Sequence, residues 1–283
     1  MAIIIDGKKV SKEIKDEVRE KVLALKEDGV ELALAVVIVG NDNASHVYVR
    51  NKKRACEYTG IRSIEYDLAE DTKEEELLSL IDKLNEDKDI NGILVQMPLP
   101  KSIDPDKVIN RIDPNKDVDG FHPINKGKML EGSECFLPCT PSGIIELLKR
   151  YNIEIEGKRC VVLGRSDIVG KPMSILLLSE NGTVTTCHSR TKDLSSITKE
   201  ADIIVSAIGK AKFLTSDMVK DGSVVIDVGM NRDENNNLCG DCVYDDLFEK
   251  CSAITPVPGG VGPMTIAMLM KNVLHSYENQ KGK

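Results

Sequence analysis

The sequence predicts an α/β fold made of two α/β domains, the second a Rossmann-type doubly wound parallel sheet. Segments of strand and helix character alternate along the 283-residue chain, a pattern typical of parallel sheets with helices on both faces. Aromatic residues are only 4% of the chain, so an aliphatic core is expected. Residues 161–173 form a strand, a glycine-bearing turn and a helix in succession, the arrangement in which a helix N-terminus binds a pyrophosphate.

Three helices and three strands are predicted in the first half of the chain. Ile14, Val18, Val22 and Leu25 recur at helical spacing and define the first helix. A capping box, Thr72-x-x-Glu75, predicts the start of the third helix. The helical segments are "SKEIKDEVREKVLAL", "SHVYVRNKKRACEYTG", which ends at Gly60, and "DTKEEELLSLIDKLNED". The strand segments are "LALAVVIVG", "IRSIEYDL" and "INGILVQMPLP".

A polar loop, "RIDPNKDVDGFHPINKG", separates this half from the second. Regular structure resumes with Thr140 as a predicted N-cap and Pro141 at the first helical position, and we place the domain boundary near Thr140. A Pro/Gly-rich loop precedes a final helix that is predicted to begin at Pro263. The strands predicted between them are "KRCVVLG", "TVTTCHS", "ADIIVSAIG" and "SVVIDVG", with the helix "KPMSILLLSEN" after the first.

Composition and charge exclude several classes of protein. The chain is 41% hydrophobic and 30% charged, as expected of a folded soluble protein. Its net charge of −8 disfavours nucleic acid or an anionic membrane as a partner, since both require a basic face. The longest aliphatic run, residues 32–39, is far shorter than a membrane helix, and "MAIIIDGKK" is too short for a signal peptide. We therefore expect a cytoplasmic protein, unless an organellar presequence has been removed.

The eight cysteines are scattered, which favours free buried thiols over a disulfide framework. Cys239 and Cys242 form a CxxC pair without a second pair or a nearby histidine in sequence. A zinc site requires such additional ligands. We interpret the pair as a turn with two thiols and predict no metal site.

The turn after the strand at 161–163 indicates a dinucleotide site. Gly164 is the first glycine, Ser166 stands at the second glycine position, and Gly170 lies one residue late, so the turn departs from G-x-G-x-x-G. Where an NAD enzyme has an acidic residue, the chain has "HSR", with Ser189 and Arg190, and the turn adds Arg165. These side chains suit the 2′-phosphate of NADP; the alternative is two solvated surface arginines.

Tyr48 and Lys52 reproduce the Tyr-x-x-x-Lys spacing of short-chain dehydrogenases, but they precede the nucleotide-binding glycines instead of following them. That resemblance is therefore accidental. The two residues are i and i+4 on a predicted helix and share a face. Because Arg50, Lys53 and Arg54 surround them, the alternative is a solvated basic helix.

Two further segments favour a site. Gln96 stands at the end of a predicted buried strand, where a side-chain amide requires a partner. Asp117 and Asp119 lie in the polar loop expected at the same end of the sheet.

Nine segments in order over the whole chain resemble the bifunctional methylenetetrahydrofolate dehydrogenase/methenyltetrahydrofolate cyclohydrolase family. They are "YVRNK", "GILVQMPLP", "KDVDGFHPINKG", "FLPCTPSG", "VVLGRSDIVGKPM", "TVTTCHSRT", "VIDVGMNR", "GDCVYD" and "TPVPGGVGPMTIAMLM". The resemblance implies a folate-binding domain (1–139 plus the helix 263–283), an NADP-binding Rossmann domain (140–262), a cleft between them, and a homodimer. The implied reactions are oxidation of 5,10-methylenetetrahydrofolate to the methenyl form and hydrolysis to 10-formyltetrahydrofolate.

The resemblance also implies roles for individual residues. Lys52 matches the catalytic lysine, Gln96 its partner, Tyr48 the tyrosine beside the folate, and Asp119 the aspartate that holds the pterin. Met230 matches an aliphatic position beside the nicotinamide, commonly Ile. The remaining expected contacts are Pro258, Gly259 and Gly260 for the substrate, and Gly164, Arg165, Ser166, Ser189 and Arg190 for NADP.

Three alternatives stay open at this point. A dehydrogenase of the same family without cyclohydrolase activity would not need Lys52, Gln96 and Asp119 together. A shikimate-type or amino-acid dehydrogenase shares the two-domain layout but does not need "KDVDGFHP" or "PGGVGPMT". A non-catalytic regulatory protein would bind NADP and turn over no folate.

Overall fold

A computed structural model describes residues 2–41 and 43–281. The strands are β1 (Ile3–Ile4), β2 (Ala33–Val39), β3 (Arg62–Leu68), β4 (Gly92–Val95), β5 (Arg159–Leu163), β6 (Thr183–Cys187), β7 (Ile203–Ser206), β8 (Val224–Asp227), β9 (Asn231–Arg232), β10 (Leu238–Cys239) and β11 (Ala253–Ile254). The helices are α1 (Gly7–Glu27), α2 (Asn43–Thr59), α3 (Glu74–Glu86), α4 (Pro105–Arg111), α5 (Pro123–Glu131), α6 (Cys139–Arg150), α7 (Gly170–Ser179), α8 (Leu194–Thr198), α9 (Tyr244–Phe248) and α10 (Val261–Lys281).

The chain divides into two compact units. The three-stranded unit comprises Lys12–Leu137 and Ile266–Lys283, and the six-stranded unit comprises Met1–Ser11 and Pro138–Thr265. These bounds differ from the predicted ones mainly at the N-terminus, which the sequence had placed with the folate-binding domain. Met1 and residues 282–283 of the predicted domains lie outside the described residues.

In the three-stranded unit the sheet order is β3-β2-β4, and both pairings are parallel. All seven residues of β2 are buried, because this central strand is an unbroken aliphatic run. Helix α2 ends before Gly60, whose φ of +83° suits a residue without a Cβ. The three predicted strands and three predicted helices of this half are confirmed.

The capping box predicted at Thr72 and Glu75 was wrong. The N-cap of α3 is Lys73, which makes no side-chain cap, and the amide of Thr72 instead donates to the carbonyl of Ala69. Three glutamates occupy the first turn of α3, and their charge complements the helix macrodipole without a capping side chain.

Two short helices near the polar loop were not predicted from the sequence: α4 ends at Arg111, where the loop begins, and α5 begins at Pro123 within it. Asp104 caps α4 through the amide of Asp106, 2.9 Å away, and His122 Nδ1 caps α5 by accepting from the amide of Ile124 at 3.1 Å. Each helix begins with a proline. Both are too short, and too polar in sequence, to show a clear apolar period.

In the six-stranded unit the order is β1-β11-β8-β7-β5-β6, and all neighbours in this sheet are parallel. The chain passes from β5 to β6 on one side and then crosses to β7 on the other, which makes a doubly wound sheet with a switch point beside β5. The four predicted strands of this half are confirmed. The two-residue strands β1 and β11 were not predicted.

Two helix starts differ from prediction. Helix α6 begins at Cys139 with Pro138 as its N-cap and no side-chain cap, so the predicted N-cap at Thr140 was wrong. The Thr140 hydroxyl lies 2.9 Å from that of Thr265 instead. Helix α10 begins at Val261, two residues before the predicted Pro263. Among the described helices, none is long and apolar enough to cross a membrane.

Candidate active site

Lys52 and Gln96 meet in the three-stranded unit. Lys52 lies on α2 with 8% of its surface exposed, and its Nζ donates to Gln96 Oε1 at 3.0 Å. Gln96 follows β4 directly, and its backbone amide donates to the carbonyl of Val37. Its side-chain Nε2 donates to the carbonyl of Met97 at 2.6 Å. That second bond fixes the side-chain amide, so its oxygen faces Lys52 as a neutral acceptor.

Tyr48 lies one turn before Lys52 on α2, and 37% of its surface is exposed. Burial of the rest raises the pKa of the Tyr48 hydroxyl. The shared helix face expected from the i, i+4 spacing therefore carries a neutral phenol beside the lysine. The alternative of a fully solvated basic face does not fit a lysine as buried as Lys52.

Asp119 reaches the same end of the sheet through a short parallel bridge. Asp117 pairs with Ile93 of β4, and the turn that carries Asp119 follows it directly. Burial raises the pKa of the half-buried Asp119 carboxyl, the nearby Lys52 ammonium opposes that shift, and Asp117 adds to it. The structure thus brings the predicted residues Lys52, Gln96 and Asp119 together.

Asp117, which the sequence analysis did not assign a role, organises the loop. Its carboxylate is 2% exposed and accepts from the amides of Phe121 and His122, at 3.2 and 2.8 Å, and from Asn125 Nδ2 at 2.9 Å. These bonds fold the segment after Asp119 back onto itself. Asp117 therefore supports the loop instead of facing a ligand.

Lys116 anchors the other side of the loop. Its Nζ donates to the carbonyls of Leu84, Asn85 and Asp87 at 2.6–2.9 Å, which satisfies the carbonyls exposed at the end of α3. Burial lowers the pKa of this ammonium. The sequence showed only a lysine in a polar loop and carried no signal for this contact.

Helix α10 holds the backbone on either side of Asp119. The buried Asn272 donates to the carbonyls of Val118 and Leu137, at 2.8 and 3.1 Å. One turn later, Ser276 donates to the carbonyl of Asn115 at 2.9 Å. A polar stripe on an otherwise apolar helix thus fixes the loop in place.

The dinucleotide turn lies in the six-stranded unit and follows β5. Gly164 has a φ of +114°, and a Cβ there would overlap the carbonyl oxygen of Ala207; a Cβ at Gly170 would overlap the backbone of Gly164. Ser166 Oγ accepts from the amides of Val169 and Gly170, both at 3.3 Å. The turn is therefore closed by glycines at two places and by a serine at the third, leading into the N-terminus of α7.

The turn after β6 presents the residues predicted to hold a 2′-phosphate. His188 Nδ1 accepts from the amide of Arg190 at 3.1 Å, and the amide of His188 donates to Thr191 Oγ1 at 2.9 Å. Ser189, Arg190 and Arg165 are exposed. Because β5 and β6 are neighbouring parallel strands, their following turns lie at one edge of the sheet, so these side chains fit a phosphorylated dinucleotide.

A third turn completes this edge. Strand β7 neighbours β5 on the side opposite β6, so residues 206–210 lie across the switch point, where open parallel sheets bind ligands. The overlap a Cβ at Gly164 would make with Ala207 shows that the two turns touch. Residues 206–210 were not predicted as part of the site, because a single glycine and a single lysine at the end of the segment form no recognisable motif.

The other expected residues also lie in the six-stranded unit. Pro258 follows a cis peptide bond; the carbonyl of Gly259 accepts from the amide of Lys8 at 3.0 Å, and the amide of Gly260 donates to the carbonyl of Pro256 at 2.8 Å. These three residues therefore belong to a different unit from Lys52.

Met230 is 51% exposed and follows β8. A Cβ built on Gly262 would lie 3.9 Å from Met230 Sδ, so the thioether lies against the first turn of α10. An exposed, flexible apolar side chain at the carboxyl edge of the sheet suits contact with a flat ring.

All eight cysteines are free thiols in the structure. Cys242 is buried, and burial raises its pKa well above the ordinary range. Within the described ranges, no group of three or more His, Cys, Asp or Glu side chains is arranged to hold a metal ion. Cys242 of the CxxC segment is therefore not a reactive thiolate.

Comparison with known proteins identifies the family. A family model described as the catalytic domain of tetrahydrofolate dehydrogenase/cyclohydrolase matches residues 5–119, and one described as the NAD(P)-binding domain matches residues 138–281. The bifunctional protein FolD of Lachnoclostridium phytofermentans is 66% identical over 275 residues, which cover 97% of this chain and 98% of that relative. The chain belongs to the tetrahydrofolate dehydrogenase/cyclohydrolase family.

Solved structures of the family agree with this fold. The crystal structure of bifunctional FolD methylenetetrahydrofolate dehydrogenase/cyclohydrolase from Campylobacter jejuni has a TM-score of 0.97 at 50% identity and covers 99% of this chain and 100% of its own. The Trypanosoma brucei enzyme, crystallised with NADP and an inhibitor, has a TM-score of 0.95 at 38% identity and covers 100% of this chain and 99% of its own. The predicted family, fold class, pair of enzyme activities and NADP cofactor are confirmed. The roles of individual residues stay predictions.

Proposed function

We propose that this member of the tetrahydrofolate dehydrogenase/cyclohydrolase family uses Lys52 as the acid–base group of the hydrolytic step. Its reactions are NADP-dependent oxidation of 5,10-methylenetetrahydrofolate to the 5,10-methenyl form and hydrolysis of that product to 10-formyltetrahydrofolate. The observation that carries the proposal is the hydrogen bond between Lys52 Nζ and Gln96 Oε1, at 3.0 Å. It holds a largely buried amine against a partner without charge.

Hydrolysis needs a group that can take a proton from water and return one to a ring nitrogen. An amine does this near neutral pH only where burial or neighbouring cations favour its neutral form. A carboxylate at position 96 would favour the ammonium instead, whereas the amide of Gln96 orients Lys52 without adding charge. Tyr48, one turn away on α2, lines the folate beside the amine.

Asp119 binds the pterin in this proposal. Its carboxylate offers two acceptors, which match the paired N–H donors of an amidine-like edge. Burial disfavours its ionised form, so an incoming pair of donors would stabilise a charge that water does not fully solvate. The hydrogen bond from Asn272 Nδ2 to the carbonyl of Val118 holds the backbone next to this carboxylate. Pro258, Gly259 and Gly260 contribute further folate contacts.

The oxidation step depends mainly on positioning. When bound, NADP supplies the acceptor for the hydride that leaves the methylene carbon. Gly164, Ser166 and the N-terminus of α7 would hold its pyrophosphate, and Met230 would lie beside its nicotinamide. Arg165, Ser189 and Arg190 would hold its 2′-phosphate and so favour NADP over NAD. No protein base is required, because the folate nitrogen lone pairs stabilise the cation that forms.

The domain bounds inferred from the sequence, 1–139 with 263–283 for folate and 140–262 for NADP, are proposed with one revision. Residues 1–11 belong structurally to the six-stranded unit, where β1 pairs with β11. A homodimer in the cytoplasm is also proposed, and the resemblance to the family supports it.

The test replaces Lys52 by methionine, which keeps the apolar stem and removes the amine. General acid–base catalysis typically contributes ~10²–10⁴-fold, so hydrolysis of methenyltetrahydrofolate should fall by that factor while NADP reduction with methylenetetrahydrofolate continues. Methenyltetrahydrofolate, which absorbs in the near ultraviolet, should accumulate. The matched control is Lys53→Met at the next position, an exposed lysine whose Nζ pairs with Glu65 at 3.0 Å; it should leave both activities near wild type.

Two results would contradict the proposal. Intact hydrolysis in Lys52→Met would make Tyr48 and Lys52 an ordinary helix face. Loss of both activities in a folded protein would make Lys52 chiefly a substrate-positioning residue.

If wild type reduces NADP but never hydrolyses the methenyl product, the alternative of a monofunctional dehydrogenase is correct. If it binds NADP and turns over no folate, the regulatory alternative is correct.

A further inference from the structure

The CxxC segment contains a buried carboxylate that the reaction described above does not use. Asp241, between Gly240 and Cys242, is fully buried and accepts five hydrogen bonds. Its Oδ2 accepts from the amides of Ile208 and Gly209, at 2.8 and 3.2 Å, and from Ser206 Oγ at 3.3 Å. Its Oδ1 accepts from the amide of Lys210 and from Asn231 Nδ2, both at 2.9 Å.

These donors come from two turns of the cofactor edge. Residues 206–210 follow β7 and touch Gly164 of the dinucleotide turn. Asn231 follows Met230, the residue proposed to lie beside the nicotinamide. One carboxylate therefore ties the turn at the switch point to the segment that carries Met230.

A second buried carboxylate holds the first in place. Asp227, at the end of β8, is 4% exposed and accepts from the amides of Gly229, Asp241 and Cys242, all at 2.9 Å. Burial raises the pKa of Asp227, and these three amides oppose the shift. Asp227 therefore fixes the backbone of Asp241, and the side chain of Asp241 in turn fixes the two turns.

The close packing of the pair explains two glycines. A Cβ at Gly240 would overlap the Asp227 carboxylate, and a Cβ at Gly229 would overlap the side chain of Asp241. In Cys239-Gly-Asp-Cys242, the glycine and the aspartate therefore make the contacts with Asp227 and the two turns, and the thiols are not needed for them.

We propose that Asp241 is a positioning residue for NADP: it sets the turn at residues 206–210 and the Met230 segment in the conformation that accepts the dinucleotide. The inference rests on the proposed cofactor contacts of Gly164 and Met230. Asp241 does not touch NADP in this proposal, since its lone pairs face backbone amides, a serine hydroxyl and an asparagine amide. Its effect is on binding, through geometry.

The test is Asp241→Asn, which keeps the shape but turns an NH₂ group toward N–H donors in either amide orientation. Hydrogen exchange of the peptide that spans residues 207–212, measured without nucleotide, should become faster. NADPH affinity, measured by fluorescence titration without folate, should fall at least tenfold. Hydrolysis of methenyltetrahydrofolate, also assayed without nucleotide, should stay within twofold of wild type.

The matched control is Asp233→Asn. Asp233 is a partly exposed carboxylate that accepts from the amides of Asn235 and Asn237, at 2.9 and 2.8 Å, within the β9–β10 hairpin. It accepts backbone amides within a turn in the same way, but it shares none of the five donors of Asp241. Its loss should therefore speed exchange only in the hairpin and leave NADPH affinity unchanged.

Faster exchange at 207–212 with unchanged NADPH affinity would overturn the proposal and leave Asp241 a purely structural residue. If Asp241→Asn does not fold, as judged by circular dichroism and loss of hydrolysis, Asn231→Ala decides, because it removes one donor and keeps the buried carboxylate. That variant should lower NADPH affinity a few-fold with hydrolysis intact, and unchanged affinity would overturn the proposal. Failure of wild type to bind NADPH would instead refute the proposed cofactor site.

Discussion

Replacing Gln96 by glutamate tests why the partner of Lys52 is neutral. Glutamate is almost isosteric with glutamine and can accept from Lys52 Nζ at the same place, 3.0 Å away. The substitution therefore keeps the hydrogen bond to the amine and changes the charge. It also removes the bond from Gln96 Nε2 to the carbonyl of Met97. Gln96→Ala, which removes both bonds of the side chain and adds no charge, is therefore the comparison variant.

The magnitude follows from the distance. Two unit charges 3.0 Å apart attract by about 5 kcal/mol at an effective dielectric constant of 20. The new carboxylate must itself be desolvated beside a lysine that is 8% exposed, so we expect roughly 2–4 kcal/mol in favour of the ammonium. At 1.36 kcal/mol per tenfold, this corresponds to hydrolysis that is about thirty- to a thousandfold slower.

The assay is the rate of methenyltetrahydrofolate hydrolysis in wild type, Gln96→Glu and Gln96→Ala. The glutamate variant should lose far more rate than the alanine variant, because only glutamate places a negative charge beside Lys52. NADP reduction should persist in both. Equal losses in the two variants would show that the neutrality of Gln96 is irrelevant to Lys52.

Two predictions concern binding. Arg165→Ala should raise the Michaelis constant for NADP about ten- to a hundredfold, the usual effect of losing a charge-assisted bond, and leave that for NAD nearly unchanged; equal effects on both cofactors would remove the 2′-phosphate assignment. Asp119→Asn should weaken folate binding in a titration and lower both activities together. Because burial raises the pKa of Asp119, ionisation opposes folding above that pKa. The variant should therefore melt at a higher temperature than wild type at pH 7.5, with the difference shrinking as the pH falls through the raised pKa; a lower melting temperature at pH 7.5 would contradict this.

The elements predicted from the sequence are those whose pattern is long and apolar. Strand β2 has seven consecutive buried residues, and α1 carries an aliphatic stripe over 21 residues, so periodicity suffices. The two-residue strands β1 and β11 pair with each other across some 250 positions of the chain, and two residues carry no period. At Thr140 a tertiary contact, the bond with Thr265, replaces the predicted cap. At Thr72 the backbone amide closes a local turn to Ala69, and the helix is capped one residue later.

The candidate site likewise contains residues that could be predicted from the sequence and residues that could not. Gln96 was singled out because an amide at the end of a buried strand breaks a local rule. The roles of Lys52 and Asp119 came from the family resemblance, since a lysine on a basic helix and an aspartate in a polar loop are ordinary in sequence. Lys116 and Asn272 break none: a lysine in a polar loop and an asparagine in a long helix are ordinary in sequence. Their partners are backbone carbonyls at distant positions, which no local pattern encodes.

This difference separates residues that position from residues that react. Three buried residues form hydrogen bonds mainly with backbone groups: Lys116, Asp117 and Asp241. They cannot exchange a proton or bind a ligand without breaking the bonds that hold the fold. Lys52 donates instead to the side-chain amide of Gln96. A buried ionisable group is therefore a better candidate for chemistry where it bonds a side chain, which can move, than where it bonds only the backbone. By that criterion the three-stranded unit offers Lys52 for proton transfer, whereas Lys116, bonded to three backbone carbonyls, holds the loop.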